Sequence, residues 1–257
     1  MLSAKVIFLA TVALCYGAPN AKLSNKRLSI AGGTDTTIEE YPFVASVQWC
    51  DSVCKHVSGG VIVNENWVLT SAIYATNAEQ VVVGYSNLQG EDNVAVEVAD
   101  AYVYPYYNPG LAPYDIALLQ LAEALTFNDK VQPAKLPTQG QKFDGTAVVV
   151  GYGTTNQLQV SPNLTLIPYD ECTAAVLKIF PESCPLDPDS NMCTLNEKSN
   201  NCHGDVGGPL SQDGTVIGTA TFYVDPCGYN GAPNIFTQVS SFADWINQTI
   251  TKYSQIL

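Results

Sequence analysis

Short apolar or alternating runs punctuate this chain, and Gly, Pro, Asn or Asp cuts each of them off. Val44–Trp49, Val94–Tyr104, Ala147–Val150 and Thr215–Val224 are the clearest, and they are rich in Val and Tyr. β-Branched and aromatic side chains suit a pleated, half-buried surface, and runs of this length between turn formers are strand signals. Helical spacing recurs only near the end, at Phe242, Trp245, Ile246 and Ile250, with Ser241 expected as N-cap and Asp244 three residues on. A shorter helix is expected to begin at Asp170 and to carry Cys172. The fold class is all-β with a C-terminal α-helix. The chain contains no repeat, low-complexity stretch or long linker.

One loop, Gly204-Asp205-Val206-Gly207-Gly208-Pro209, resembles the Gly-Asp-Ser-Gly-Gly-Pro of the trypsin/chymotrypsin-like serine proteases, peptidase family S1. Other segments follow in that family's order. Ile30-Ala31-Gly32-Gly33 resembles Ile-Val-Gly-Gly, and Val150-Gly151-Tyr152-Gly153 stands for Ser-Gly-Trp-Gly. Tyr41 to Gln48, Ser58-Gly59-Gly60-Val61-Ile62, Pro233-Asn234-Ile235-Phe236-Thr237 and Trp245-Ile246 complete the series. The resemblance implies two six-stranded antiparallel β-barrels, joined near Gln132-Pro133-Ala134, in a domain spanning 30–257. Roughly 230 residues suffice for such a core.

The same resemblance locates a catalytic triad and shows it degenerate. The family's nucleophilic serine is Val206, and the histidine of Trp-Val-Leu-Thr-Ala-Ala-His-Cys is Ile73 within Trp67 to Tyr74. Asp115, in Asp115-Ile116-Ala117-Leu118, keeps the orienting carboxylate. The mechanism needs a hydroxyl whose proton an imidazole takes and later delivers. Valine and isoleucine can do neither, and loss of the pair costs on the order of a million-fold in turnover. The chain is therefore expected not to be an enzyme. The backbone of Gly204 and Val206 is expected to remain as the remnant of the oxyanion hole. The two histidines, His56 and His203, are expected at the surface or on the cleft rim.

Asn200, six positions before Val206, occupies the specificity position, where it offers no charge for a basic side chain. Tyr223 and Asn234 fall where the family keeps glycines open to substrate, so the pocket is expected to be filled. Ile30 and Asp205 match the pair that forms a salt bridge when the family's precursors are cut. Here, however, Ser29 precedes Ile30, and the nearby basic pair is Lys26-Arg27. With no imidazole beside it, Asp115 is expected to titrate high if buried.

Residues 1–17, with Lys5 before the apolar run Val6–Leu14, read as a secretory signal peptide, and 18–29 as a propeptide. Of the later cysteines, the resemblance pairs Cys172 with Cys193 and Cys202 with Cys227. The bracing pair beside the histidine is lost at both ends, as Ser58 and Tyr74. Cys50 and Cys54 can close a small ring if their Cα atoms lie within about 7 Å. Cys184 is left as a free thiol or an intermolecular link, the chain otherwise being a monomer. Asn163 and Asn247 begin glycosylation sequons.

Charge narrows the partners. From Ile30 onward seven lysines face 24 acidic residues, a formal charge of −17. Such a surface repels nucleic acid and anionic membrane, and it favours basic partners. No cofactor or metal is expected. The chain reads as a secreted, proteolytically inactive serine protease homologue. Its several triad losses resemble those of the inactivated protease paralogues of parasitic mites. That likeness implies a binding or decoy protein whose partner is a host defence or protease-cascade component such as complement, met through an exosite. The alternatives are a protease-fold enzyme with a relocated or residual mechanism, and a bulk secreted protein without a specific ligand.

Overall fold

A computed structural model of the protein describes residues 30, 32–90, 93–109, 112–179, 181, 186–196, 201–202, 204–222 and 232–254. The segments read as signal peptide and propeptide lie outside the described residues, as do Cys184, Asn200, His203, Tyr223 and Cys227.

After a two-residue strand β1 (Thr34–Asp35), the chain enters a run of six strands: β2 (Val44–Cys50), β3 (Cys54–Asn64), β4 (Trp67–Thr70), β5 (Gln80–Val83), β6 (Ala95–Val103) and β7 (Ala117–Leu121). They close into an antiparallel barrel in the order β2-β3-β4-β7-β6-β5. Successive side chains on a strand point to opposite faces. On β2, Ala45 and Val47 fill the barrel with Ile62, Val68 and Leu119, while Val44 packs outside against Val150 and Tyr152. On β4, Val68 points inward, while Trp67 and Leu69 point outward onto Val216 and the C-terminal helix. Both faces are covered, which is why these strands read as continuous apolar runs.

The second half supplies β8 (Thr146–Gly151), β9 (Gln159–Ile167), β10 (Asn191–Leu195), β11 (Pro209–Gln212), β12 (Thr215–Phe222) and β13 (Asn234–Gln238). Pairing runs β9-β10-β13-β12-β11-β8 and returns from β8 to β9, with β1 on the edge of β9. Ala147, Val149, Leu164, Leu210, Ile217, Ala220 and Phe236 fill this barrel, and Ile30 joins them. The expected pair of six-stranded barrels with a C-terminal helix is what the chain forms.

The helices are α1 (Ala72–Ala75), α2 (Tyr169–Ile179) and α3 (Ala243–Tyr253). Helix α2 starts one residue before Asp170 and is tied to β10 through Cys172–Cys193, whose Cα atoms are 6.1 Å apart. The expected Ser241 cap on α3 is not formed. A 3-10 turn, Val239–Ser241, precedes the helix and shifts the cap position to Phe242. The Ser241 hydroxyl instead accepts from Gln238 Nε2 at 2.7 Å. Buried Phe242 and Ile246 hold α3 on the outer face of the first barrel.

Where the barrels meet, backbone lies on backbone. The Gly59 N–H on β3 donates to the Val206 carbonyl at 2.7 Å. A Cβ on Gly59 would stand 2.5 Å from the Gly208 Cα, and Gly207, at φ +81°, faces the Gly59 carbonyl. No side chain fits between them. Gly59→Ala is expected to lower unfolding free energy by about 3 kcal/mol, the upper part of the range for overpacking. Urea denaturation, with exposed Val53→Ala as the control, reads that loss.

Candidate functional site

Asp115 sits just before β7 and is almost wholly buried. Its carbonyl accepts from Thr237 Oγ1 at 2.9 Å, which ties this turn to β13. The Ser71 hydroxyl lies 2.7 Å from both carboxylate oxygens, and Thr221 Oγ1 donates to Oδ2 at 2.6 Å. The backbone N–H of Ile73 donates to Oδ1 at 3.0 Å. Burial pushes the carboxyl up, and the bonds from Thr221, Ser71, Ile73 and Ala72 pull it part of the way back. The shift runs in the direction expected for a buried carboxylate with no cation beside it among the described residues.

Ile73 thus meets Asp115 through its amide, while its side chain is partly in solvent. Val206 is buried, and its carbonyl accepts from both Gly59 N–H and Ser58 Oγ, the latter at 2.8 Å. Ser58 Oγ is 3.2 Å from Thr70 Oγ1, and Thr70 adjoins Ser71. Two polar groups therefore lie side by side, Ser58 and Thr70 at the Val206 carbonyl and Ser71 at Asp115, joined by the backbone between Thr70 and Ser71. Together they take in the three triad positions, and they consist of hydroxyls, amides and one carboxylate.

His56 differs from the expectation of a surface or rim residue. It is partly buried on β3, edge-on to Tyr152 at 5.6 Å between ring centres. Its Nε2 is 2.8 Å from the Gly204 carbonyl, and its Nδ1 is 2.8 Å from Ser46 Oγ. A carbonyl can only accept, so Nε2 carries the proton and Nδ1 accepts from the Ser46 hydroxyl. Burial lowers the pKa to about 4, against the opposing pull of the Gly204 carbonyl. The histidine is a neutral strut under the Gly204–Val206 loop. Its packing comes from the second barrel, whose Gly204 carbonyl and Tyr152 ring meet this part of β3.

Asp205 is fully buried. Its Oδ2 accepts from the Cys202 N–H at 2.9 Å, and Oδ1 has no hydrogen-bond partner among the described residues. Burial pushes its pKa up to about 7, against the bond from the Cys202 N–H and a weaker pull from the Gly153 N–H, which makes no full hydrogen bond. Ile30 is buried in the second barrel. In the uncut chain its nitrogen is an uncharged amide, and among the described residues no ion pair reaches Asp205.

Asn234, on the expected pocket wall, is buried. Its Oδ1 accepts from the Asn201 N–H at 2.7 Å, and its Nδ2 donates to Thr194 Oγ1 at 3.3 Å. The side chain that replaces glycine is thus built into the wall. Asn201 is itself buried, and both ends of its amide lack hydrogen-bond partners among the described residues. Sequence reasoning missed Asn201, Ser71 and the bond made by Ser58. Ser71 left a trace, since it stands where the motif around the family's histidine has alanine.

Cys50–Cys54 closes the β2–β3 hairpin with Cα atoms 3.9 Å apart. Cys202 is disulfide-bonded, and Cys227 lies outside the described residues. Asn163 and Asn247 are both exposed, on β9 and α3. Among the described residues no cluster of His, Cys, Asp and Glu could hold a metal ion, and no helix is long and apolar enough to cross a membrane.

Comparison with known proteins fits this geometry. The sequence matches the trypsin family over residues 30–246. It is 33% identical to human kallikrein-7 over 202 residues, covering 76% of this chain and 78% of that protein. It is 31% identical to a trypsin of Phaedon cochleariae over 267 residues, covering 93% and 96%. The structure resembles that of neuropsin, a serine protease expressed in the limbic system of mouse brain. That match has a TM-score of 0.74 and 26% identity, and it covers 85% of this chain and 98% of that one.

Two buried groups make opposed demands on pH. Asp205 titrates near 3.9 when unfolded and about 7 when folded, so the folded state holds the extra proton between those values. Its contribution to stability is full below the unfolded pKa and is lost as pH rises through 7, by on the order of 4 kcal/mol. His56 acts the other way, since the unfolded imidazole takes a proton between about pH 6.5 and 4 that the folded one refuses. Urea unfolding across pH 4 to 8 is expected to show partial cancellation below pH 6.5 and a net loss above it. In Asp205→Asn the loss above pH 6.5 should vanish and stability should rise from pH 4 to 6.5.

Proposed function

This chain belongs to the trypsin family of serine proteases, and we propose that it is a secreted member that no longer hydrolyses peptides and acts as a binding or decoy protein. The observation that carries this reading is the way Asp115 is satisfied. In a triad the carboxylate orients an imidazole. Here the hydroxyls of Ser71 and Thr221 and the amide of Ile73 occupy it. Valine at 206 and isoleucine at 73 leave that site with neither nucleophile nor base. The two-barrel shell, with its glycine joint and disulfides, then serves as scaffold.

The partner follows from charge and resemblance. A formal charge of −17 from Ile30 onward favours a basic protein. The likeness to inactivated mite protease paralogues supports a host defence component such as complement, bound through a surface away from the cleft. The apolar leader after Lys5 supports a secretory route, and exposed Asn163 and Asn247 are its candidate glycosylation sites.

Hydrolysis assays over broad peptide and ester libraries test the inactivity. The native protein is expected at buffer background. The double variant Ile73→His with Val206→Ser restores the triad residues and is expected to gain little, because Asn234 is built into the wall and the sequence has tyrosine at 223 where the resembled family has glycine. Turnover by the native protein that is abolished by changing His203 or Asp205 would favour a relocated mechanism instead.

A further inference from the structure

Just beyond β6 the chain lays three tyrosines side by side. The ring centres of Tyr104 and Tyr106 are 5.8 Å apart, those of Tyr104 and Tyr114 are 5.8 Å apart, and those of Tyr106 and Tyr114 are 6.5 Å apart. Phe242 and Trp245 back this group from α3, with Trp245 edge-on to Tyr104 at 5.3 Å. Packing of the helix accounts for Tyr104 and Tyr114, which are half-buried. It does not account for Tyr106, which rests on both and is 74% exposed.

Tyr114 is placed there against backbone preference. Its φ is +64°, a region that bulky residues other than glycine rarely enter. Its N–H donates to Ser190 Oγ at 2.7 Å, and its hydroxyl donates to Asp187 Oδ2 at 3.2 Å. Asp189 lies on the same turn, its N–H donating to Asp187 Oδ1 at 2.8 Å. Neither carboxylate has an ion-pair partner among the described residues. The charge of Asp187, followed by burial, pushes the Tyr114 phenol above its ordinary value, so the acidic field reaches the rings.

Tyrosine faces and carboxylates attract the same kind of group, a cation that can lie flat on a ring and bond an acid at its edge. Guanidinium does both, being planar, weakly hydrated and a fork of donors. We propose that the face formed by Tyr104, Tyr106 and Tyr114 with Asp187 and Asp189 is the docking surface for an arginine-bearing segment of a partner protein. This rests on the reading of the chain as a binding protein, and it gives that protein a surface and a ligand chemistry. The site depends on one turn and one strand end, so the shell can keep its fold whatever the cleft does.

The test titrates a blocked arginine–glycine repeat peptide into the isotopically labelled full-length protein, followed by amide NMR, with lysine–glycine and glutamate–glycine repeats alongside. Saturable shifts centred on Tyr104, Tyr106, Tyr114 and Trp245 are expected for the arginine peptide, weaker ones for lysine and none for glutamate. Tyr106→Leu, at a site open enough to spare the fold, keeps apolar bulk but removes the ring. It and Asp187→Asn are each expected to weaken binding roughly threefold, within the range for an exposed cation–π contact. Unsaturable shifts spread over the whole acidic surface, or unchanged affinity in both variants, would overturn the proposal. Mass spectrometry of the same peptide separates the two readings. A cut peptide contradicts the inert scaffold, and an intact but unbound one contradicts this docking face alone.

Discussion

The contact on which the rest depends is the carbonyl of Val206, held from the other barrel by the Gly59 amide and the Ser58 hydroxyl. It fixes the loop at 204–208 against β3, and only glycine at 59 and 207 lets the two backbones come that close. The requirement is on the main chain. A valine side chain at 206 meets it as well as a serine would, which is why the loop keeps its glycines while its reactive position has changed. Ser58 extends the same logic. Where the resembled proteases brace the joint with a disulfide, a hydroxyl reaches the Val206 carbonyl directly and links it to Thr70.

From that joint the buried polar groups follow in order. Asp115 is closed by Ser71, Thr221 and two backbone amides, so its charge is solvated by fixed dipoles in place of an imidazole. His56 supports the loop from below as a neutral ring between Ser46 and the Gly204 carbonyl. Asp205 is the unresolved member, with one oxygen bonded to Cys202 and the other facing Gly151 without a donor. A buried carboxylate in that state prefers to hold its proton. Stability near neutral pH is therefore sensitive to the loop at 204–208.

Much of this was legible in the residues. Strands rich in Val and Tyr gave the all-β class, and the ordered motifs gave two barrels, Cys172 with Cys193 and the positions of Ile73, Asp115 and Val206. The misses share a cause. Ser241 looks like a helix cap, but the preceding 3-10 turn, pinned by buried Val239 and Ser240, moves the helix start past it. His56 looks exposed among Lys55, Val57 and Ser58, and becomes a strut only when the second barrel folds against it. Ser71 looks like a small variant of alanine until Asp115 arrives from 44 residues away. Contacts across the two barrels are absent from any local pattern. The tyrosine face is of the same kind, since Tyr104 and Tyr114 meet Phe242, which is more than a hundred residues further along the chain.

On the proposed reading, the residues at the triad positions serve structure and carry no hydrolytic chemistry. The most direct measurement takes the protein trimmed to begin at Ile30, whose free ammonium the family resemblance pairs with Asp205, and follows hydrolysis of a broad peptide library by mass spectrometry. No cleavage above the buffer background is expected, with the trimmed chain folded and more stable near pH 8 than the uncut one. Turnover that appears on trimming and disappears in Asp115→Asn would contradict that reading.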